Sequence, residues 1–194
     1  MDANLLEAVQ QHLTPDRMRQ ISTSLGTDPK TASNAVSMAL PVILGGLARN
    51  AANPQGASAL NQALDAHDGS ILDNLGGLLG SGAASGIGGA ILGHIFGRKQ
   101  APVQDGVSKA TGLSTQQVAQ LLMMLAPIVM GVLGRMKQQQ GLDHTQLPNV
   151  LQKSTAGQPG LGGLASILDS NHDGQIADDI ARVGGSVLGN IFKR

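Results

Sequence analysis

The 194-residue chain contains no cysteine, no tryptophan and no tyrosine, and only two phenylalanines. Without cysteine it has no disulfide framework, no thiol nucleophile and no cysteine-ligated metal site. With only two aromatic rings it offers almost no platform on which bases could stack, and 13 basic against 13 acidic side chains leave no basic excess to meet phosphates. Nucleic acid is therefore not an expected partner. Charge is scarce as well, at 13% of residues. A neutral, sparsely charged surface provides little repulsion between copies, so a homo-oligomer is expected. The opening Met1-Asp2-Ala3-Asn4-Leu5-Leu6-Glu7 lacks the basic and continuous apolar segments of a signal peptide, which makes the cytoplasm the expected location.

What the chain does have is 27 glycines, 7 methionines and an abundance of Leu, Ile, Val and Ala. Such side chains build an adaptable core and favour helices. Leu5, Leu6, Val9 and Leu13 recur at helical spacing and predict a short amphipathic helix. Thr14-Pro15-Asp16 then reads as an N-cap, a first-turn proline and an acid at the positive helix end. That second helix stops near Gly26. Asp28-Pro29 repeats the start signal and opens a long apolar helix, and Asn53-Pro54-Gln55-Gly56 reads as a polar turn before a short helix to Leu64.

The long helix occurs twice. Ala39-Leu40-Pro41-Val42-Ile43-Leu44-Gly45-Gly46-Leu47-Ala48-Arg49 is echoed by Leu125-Ala126-Pro127-Ile128-Val129-Met130-Gly131-Val132-Leu133-Gly134-Arg135, 86 residues later. Gly26 and Gly112 share that offset, as do the cap positions Asp28 and Ser114, the latter with Gln117 placed for a capping box. Pro41 and Pro127 each remove a backbone donor and are expected to bend or break their helices, as static bends rather than hinges.

A second motif also recurs. His67-Asp68-Gly69-Ser70-Ile71-Leu72-Asp73 returns as His172-Asp173-Gly174-Gln175-Ile176-Ala177-Asp178, now 105 residues on, so the second half has gained 19 residues in between. A third is the ending Ile91-Leu92-Gly93-His94-Ile95-Phe96, repeated as Val187-Leu188-Gly189-Asn190-Ile191-Phe192 and followed each time by basic residues that suit a helix C-terminus. Gly97–Gln104, with Pro102, is the natural boundary between halves.

With its two proline-containing apolar helices, two H-D-G-x-I-x-D turns and two G-x-I-F-basic endings, the chain resembles the bacterial YidB-like family. That resemblance covers most of the sequence and implies an all-helical fold of unassigned function.

The sharpest chemical candidate is Asp169-Ser170-Asn171-His172-Asp173-Gly174-Gln175-Ile176. It matches the first eight positions of a calcium loop, with Asp169, Asn171, Asp173 and Gln175 as acceptors. The bidentate acid is missing, because position 12 is Ile180, while Asp178 and Asp179 fall at positions 10 and 11. The plainer reading is an Asp-Gly turn leading into a helix with an acidic first turn. The first copy favours that reading, since Leu64 and Ala66 stand where Asp169 and Asn171 do. No cofactor other than this possible calcium ion is expected.

Gly80-x-Gly82-x-x-x-Gly86 lacks the strand a dinucleotide-binding loop needs, and the five histidines form no His-Glu-x-x-His pattern. Nothing supplies a nucleophile with its base, so no catalytic residues are assigned.

Leu75–Gly97 is 23 residues without charge, long enough to span a bilayer, but its C-terminal counterpart carries Asp178, Asp179 and Arg182. Helix packing is the preferred reading, and a membrane the lesser one. Glycines at four-residue spacing allow helix backbones to approach closely, and Gly89, Gly93, Gly97, Gly185 and Gly189 are the expected interface. Gly93 in particular is expected to sit in a close helix contact.

The expectation is an all-α protein of two tandem homologous helical units, residues 1–100 and 101–194. They share one core or pack about a pseudo-twofold axis. The expected role is that of a non-enzymatic structural or interaction protein that self-associates through Gly- and Met-rich helix faces, with a calcium-responsive or envelope-associated module as the alternative.

Overall fold

The computed structural model describes residues 5–66, 69–73, 77, 83–143 and 145–155. The described residues form helices α1 (Leu5–His12), α2 (Pro15–Leu25), α3 (Pro29–Ala51) and α4 (Pro54–Ala66), then a 3₁₀ turn at Ser70–Leu72. Helix α5 (Ala83–Phe96) follows, a second 3₁₀ turn at Gly97–Lys99, then α6 (Gln100–Thr111), α7 (Thr115–Gln140) and α8 (Leu147–Thr155). Among the described residues there is no strand. The all-helical expectation holds.

The helix starts are where the cap residues place them. Thr14 Oγ1 accepts from the Arg17 amide, and Asp28 Oδ1 accepts from the amides of Lys30 and Thr31, both at 3.0 Å. Ser114 and Gln117 form a reciprocal capping box: the Gln117 amide donates to Ser114 Oγ at 3.2 Å, and the Ser114 amide donates to Gln117 Oε1 at 2.9 Å. Gln117 Nε2 also donates to the Leu25 carbonyl at 2.7 Å, which ties the start of α7 to the end of α2. Helices α2 and α6 both end on a glycine with positive φ, 64° at Gly26 and 76° at Gly112, where an L side chain would be strained.

Of the two outcomes expected at the prolines the break does not occur: α3 runs unbroken through Pro41 and α7 through Pro127. Each proline deletes only one donor, and twelve residues of α3 and fifteen of α7 are buried, enough packing to outweigh it. Asn53-Pro54-Gln55-Gly56 is not a turn ahead of a helix but its start, with Asn53 Oδ1 accepting from the Gly56 amide at 2.7 Å. At Gly97–Gln104, the expected boundary between halves, a 3₁₀ turn leads straight into α6, with Pro102 in its first turn.

Helices α3 and α7 pack against each other and collect the remaining helices around them. Leu40, Ile43 and Leu44 of α3 and Leu121, Leu122, Leu125 and Ile128 of α7 are fully buried, in one cluster with Leu5, Ile21, Leu64 and Leu92. Residues from both sequence halves thus enter a single core. Each buried leucine or isoleucine contributes roughly 1.5–3 kcal/mol.

Helix α5 makes its closest approach to α7 at Gly88. A methyl group there would overlap the Met123 carbonyl oxygen. Pro127, four residues on, has no N–H to give that oxygen, so α5 closes on the one carbonyl of α7 that the proline releases. A Cα–H of Gly88 is the group positioned to meet it.

Because Ser114 satisfies a backbone donor at the start of the core helix, Ser114→Ala is expected to destabilise the protein by about 1 kcal/mol. A chemical-denaturation series should show the midpoint falling at unchanged slope; an unchanged midpoint would mean the cap is not contributing.

Candidate functional site

The residues read as calcium acceptors, Asp169, Asn171, Asp173, Gln175, Asp178 and Asp179, lie outside the described residues, as do Gly185, Gly189, His67 and Asp68. Among the described residues no group of three or more acidic or histidine side chains is placed to hold a metal. The first copy of the turn is described from Gly69 to Asp73, and its role there is to fasten helices. Gly69 turns the chain at φ 89°, and Leu72 enters the core. Arg135 of α7 donates to the Gly69 carbonyl at 3.3 Å and to Asp73 Oδ1 at 3.0 Å. Arg17 of α2 donates to the His12 carbonyl at 2.6 Å and to the Leu72 carbonyl at 3.5 Å. Asp73 is therefore an ion-pair partner, half of a clamp that joins α1, α2, the turn and α7.

His12 sits at the edge of this clamp. Its imidazole is held below the ordinary histidine range, first by burial and then by the positive charges of Arg135 and Arg17, with Asp73 opposing.

The described interface glycines divide. Gly89 faces Met123 Sδ, where a methyl group would lie at 3.8 Å, an ordinary contact. Gly93 and Gly97 are exposed, and a methyl group at either would meet nothing within 4 Å; Gly97 has φ 51°. The expected close helix contact at Gly93 is thus corrected: within the chain it is Gly88, one position before Gly89, that approaches a neighbour. Gly46 and Gly131 are similar, facing Ile95 and Phe96, and Ile71 and Leu72. The sequence signal lay in the neighbouring Gly88 and Gly89, of which Gly88 meets the backbone of α7 and Gly89 only the Met123 side chain.

Beside this contact an apolar groove of about 800 Å³ opens between α3, α4 and α5. Its walls include Leu47, Leu60, Ala63, Ile87 and Ile91, with His94 and Gln62 exposed at the rim. Asn50 Nδ2 donates to the carbonyls of His94 and Ile95 at 2.9 and 3.1 Å, tying the end of α5 to the end of α3. On the other wall, Lys137 Nζ donates to the Asn61 carbonyl at 3.1 Å and pairs with Asp65, which holds α4 to α7. Ile87, 38% exposed, is the one exposed large hydrophobic among the described residues, and it stands on this groove. Sequence reasoning did not find the groove, because it is shaped by elements far apart in the chain.

Of the stretch Leu75–Gly97, residues 75, 76 and 78–82 lie outside the described residues; among the described residues the helices long and apolar enough to cross a membrane are α3 and α7. Their apolar stretches are 67% and 78% buried inside the protein, as core helices are.

Two outcomes test this geometry. Gly93→Ala should raise stability by roughly 0.5–1 kcal/mol, since it adds helix propensity in open space. Gly88→Ala should lower it by at least about 1–3 kcal/mol through overlap with backbone that cannot move aside. Thermal melts of the two variants should therefore shift in opposite directions, and equal shifts would discount the Gly88 contact. For His12, the unfolded state binds a proton more readily than the folded state. Its contribution is present above the ordinary histidine pKa of about 6.5 and is lost as pH falls from there through the lowered folded-state value. His12→Gln should flatten the decline in melting temperature between about pH 7.5 and pH 5.5; an unaltered decline would remove His12 as its source.

No curated protein and no solved structure matches the chain. A family match does exist, and it runs over residues 7–136, from α1 into the last turns of α7. It takes in both long helices, the clamp at Gly69–Asp73 and the groove. On that match the chain belongs to the bacterial proteins of unknown function described as DUF937.

Proposed function

We propose that this protein is a non-enzymatic interaction module, acting in the cytoplasm, that self-associates through the outer face of α5 and the groove beside it. The observation that carries the reading is Ile87, left 38% exposed on an uncharged face with Gly86, Ala90 and Gly93. Small residues there expose helix backbone, and Ile87 supplies an anchor that a second copy would bury. A net charge of zero offers no repulsion to such a contact. On this proposal the chain is YidB-like and duplicated into units 1–100 and 101–194, with bends at Pro41 and Pro127 and with Gly185 and Gly189 as further interface positions.

The alternative is a calcium-responsive or envelope-associated module. It is supported by the acceptors Asp169, Asn171, Asp173 and Gln175 and weakened by Ile180 at the position of the bidentate acid.

The test is solution mass by light scattering across a concentration series, with calcium and with chelator. The parent is expected to exceed the monomer mass. Ile87→Asp combined with Ala90→Glu should return it to monomer with an unchanged helical circular-dichroism spectrum. A parent that stays monomeric at high micromolar concentration would falsify the self-association reading. A mass or melting temperature that depends on calcium would favour the alternative.

A further inference from the structure

Arg135 and Arg49 occupy the same place in the two copies of the long helix, 86 residues apart, but their surroundings differ. Arg135 is satisfied by the Gly69 carbonyl and the Asp73 carboxylate. Arg49 is half-buried, and burial alone holds its pKa below the usual arginine value. Among the described residues it has no hydrogen-bond or ion-pair partner. A desolvated guanidinium left in that state is costly, whereas a carboxylate and a carbonyl at its fork would compensate it.

The partners that Arg135 uses come from the turn His67–Asp73, and the chain contains that motif once more. Gly174 and Asp178 stand in the second copy where Gly69 and Asp73 stand in the first. The chain also leaves the described residues from a helix that packs against α3, namely α8, which ends at Thr155. Only 16 residues separate Thr155 from His172, and such a segment reaches at most roughly 50–60 Å when extended. At the site Gly131 faces Ile71 and Leu72, and its counterpart on α3 is Gly45, which is half-buried. One difference stands out. Arg17, which holds the Leu72 carbonyl, has Val103 as its counterpart, so Arg49 would hold the second turn without that helper.

We propose that α3 carries a second docking face for a turn, and that its occupant is this chain's own His172–Asp178, with Arg49 donating to the Gly174 carbonyl and the Asp178 carboxylate. Asp178 is then an ion-pair partner rather than a calcium ligand. The inference is independent of self-association through α5.

Two measurements on the full chain test it. The protein has no native cysteine, so Arg49→Cys with Asp178→Cys can be joined by a short bis-maleimide, with Asp73→Cys and Arg135→Cys as the control pair. The expected product is an intrachain link for both pairs. A control pair that links while the test pair does not overturns the proposal, and so does a link formed only between chains, which would make a second copy the occupant.

The second measurement is a double-mutant cycle with Arg49→Met and Asp178→Asn. Each single substitution should lower the melting temperature, and the double variant should be no less stable than the worse single one, in calcium and in chelator alike. A higher melting temperature in Arg49→Met would show an arginine relieved of an unpaired burial and overturn the proposal. An Asp178→Asn effect seen only with calcium would overturn it too.

Discussion

The packing of α3 against α7 is the constraint on which the rest of this structure depends. A protein without cysteine and almost without aromatic side chains has few ways to build a core, and here the core is two long aliphatic helices laid together. Every shorter helix buries one face against them and would be marginal alone. The clamp at Gly69–Asp73, the approach of α5 at Gly88 and the groove are all located by where residues of α3 or α7 point. The family match over residues 7–136 covers both long helices almost entirely.

Much of this was legible in the residues. Thr14, Asp28 and Ser114 mark helix starts because each puts an oxygen near orphan amides, a local requirement that neighbours rarely override. Gly26 and Gly112 mark helix ends for a similarly local reason. At the prolines the residues leave a bend and a break both open. The cost of a proline is also local, but the decision between a broken and a continuous helix is made by burial over some six turns, which a dipeptide does not reveal. The polar run at Asn53–Gly56 misled because turn residues and a helix start share the same chemistry.

The candidate site was less legible, and the reason lies in direction rather than composition. Gly88, Gly89 and Gly93 look alike in the sequence, yet successive helical residues point about 100° apart, so Gly88 meets the backbone of α7 while Gly89 meets only the Met123 side chain. The facing residue, Met123, is made distinctive by Pro127, and that pairing exists only once the two helices are in contact. Likewise nothing in the sequence sets Ile87 and Ala90 apart until α4 and α3 are seen to leave one side of them open. Arg49 and Arg135 hold equivalent places in the repeated helix, and only the structure separates the satisfied arginine from the one without a partner among the described residues.

The two walls of the groove are each anchored to a different long helix. Asn50 fixes the end of α5 to α3, and Lys137 fixes α4 to α7 through Asn61 and Asp65. The width of the opening is therefore inherited from the core and is not set by the groove's own side chains. Whatever enters meets a slot built in advance, so little conformational entropy is lost on the protein's side when it fills. The thermodynamic signature to associate with such an event is a negative heat-capacity change with only a small ordering term. A surface of that kind selects by shape, and it admits a rigid helix ridge more readily than a flexible chain that must itself be ordered.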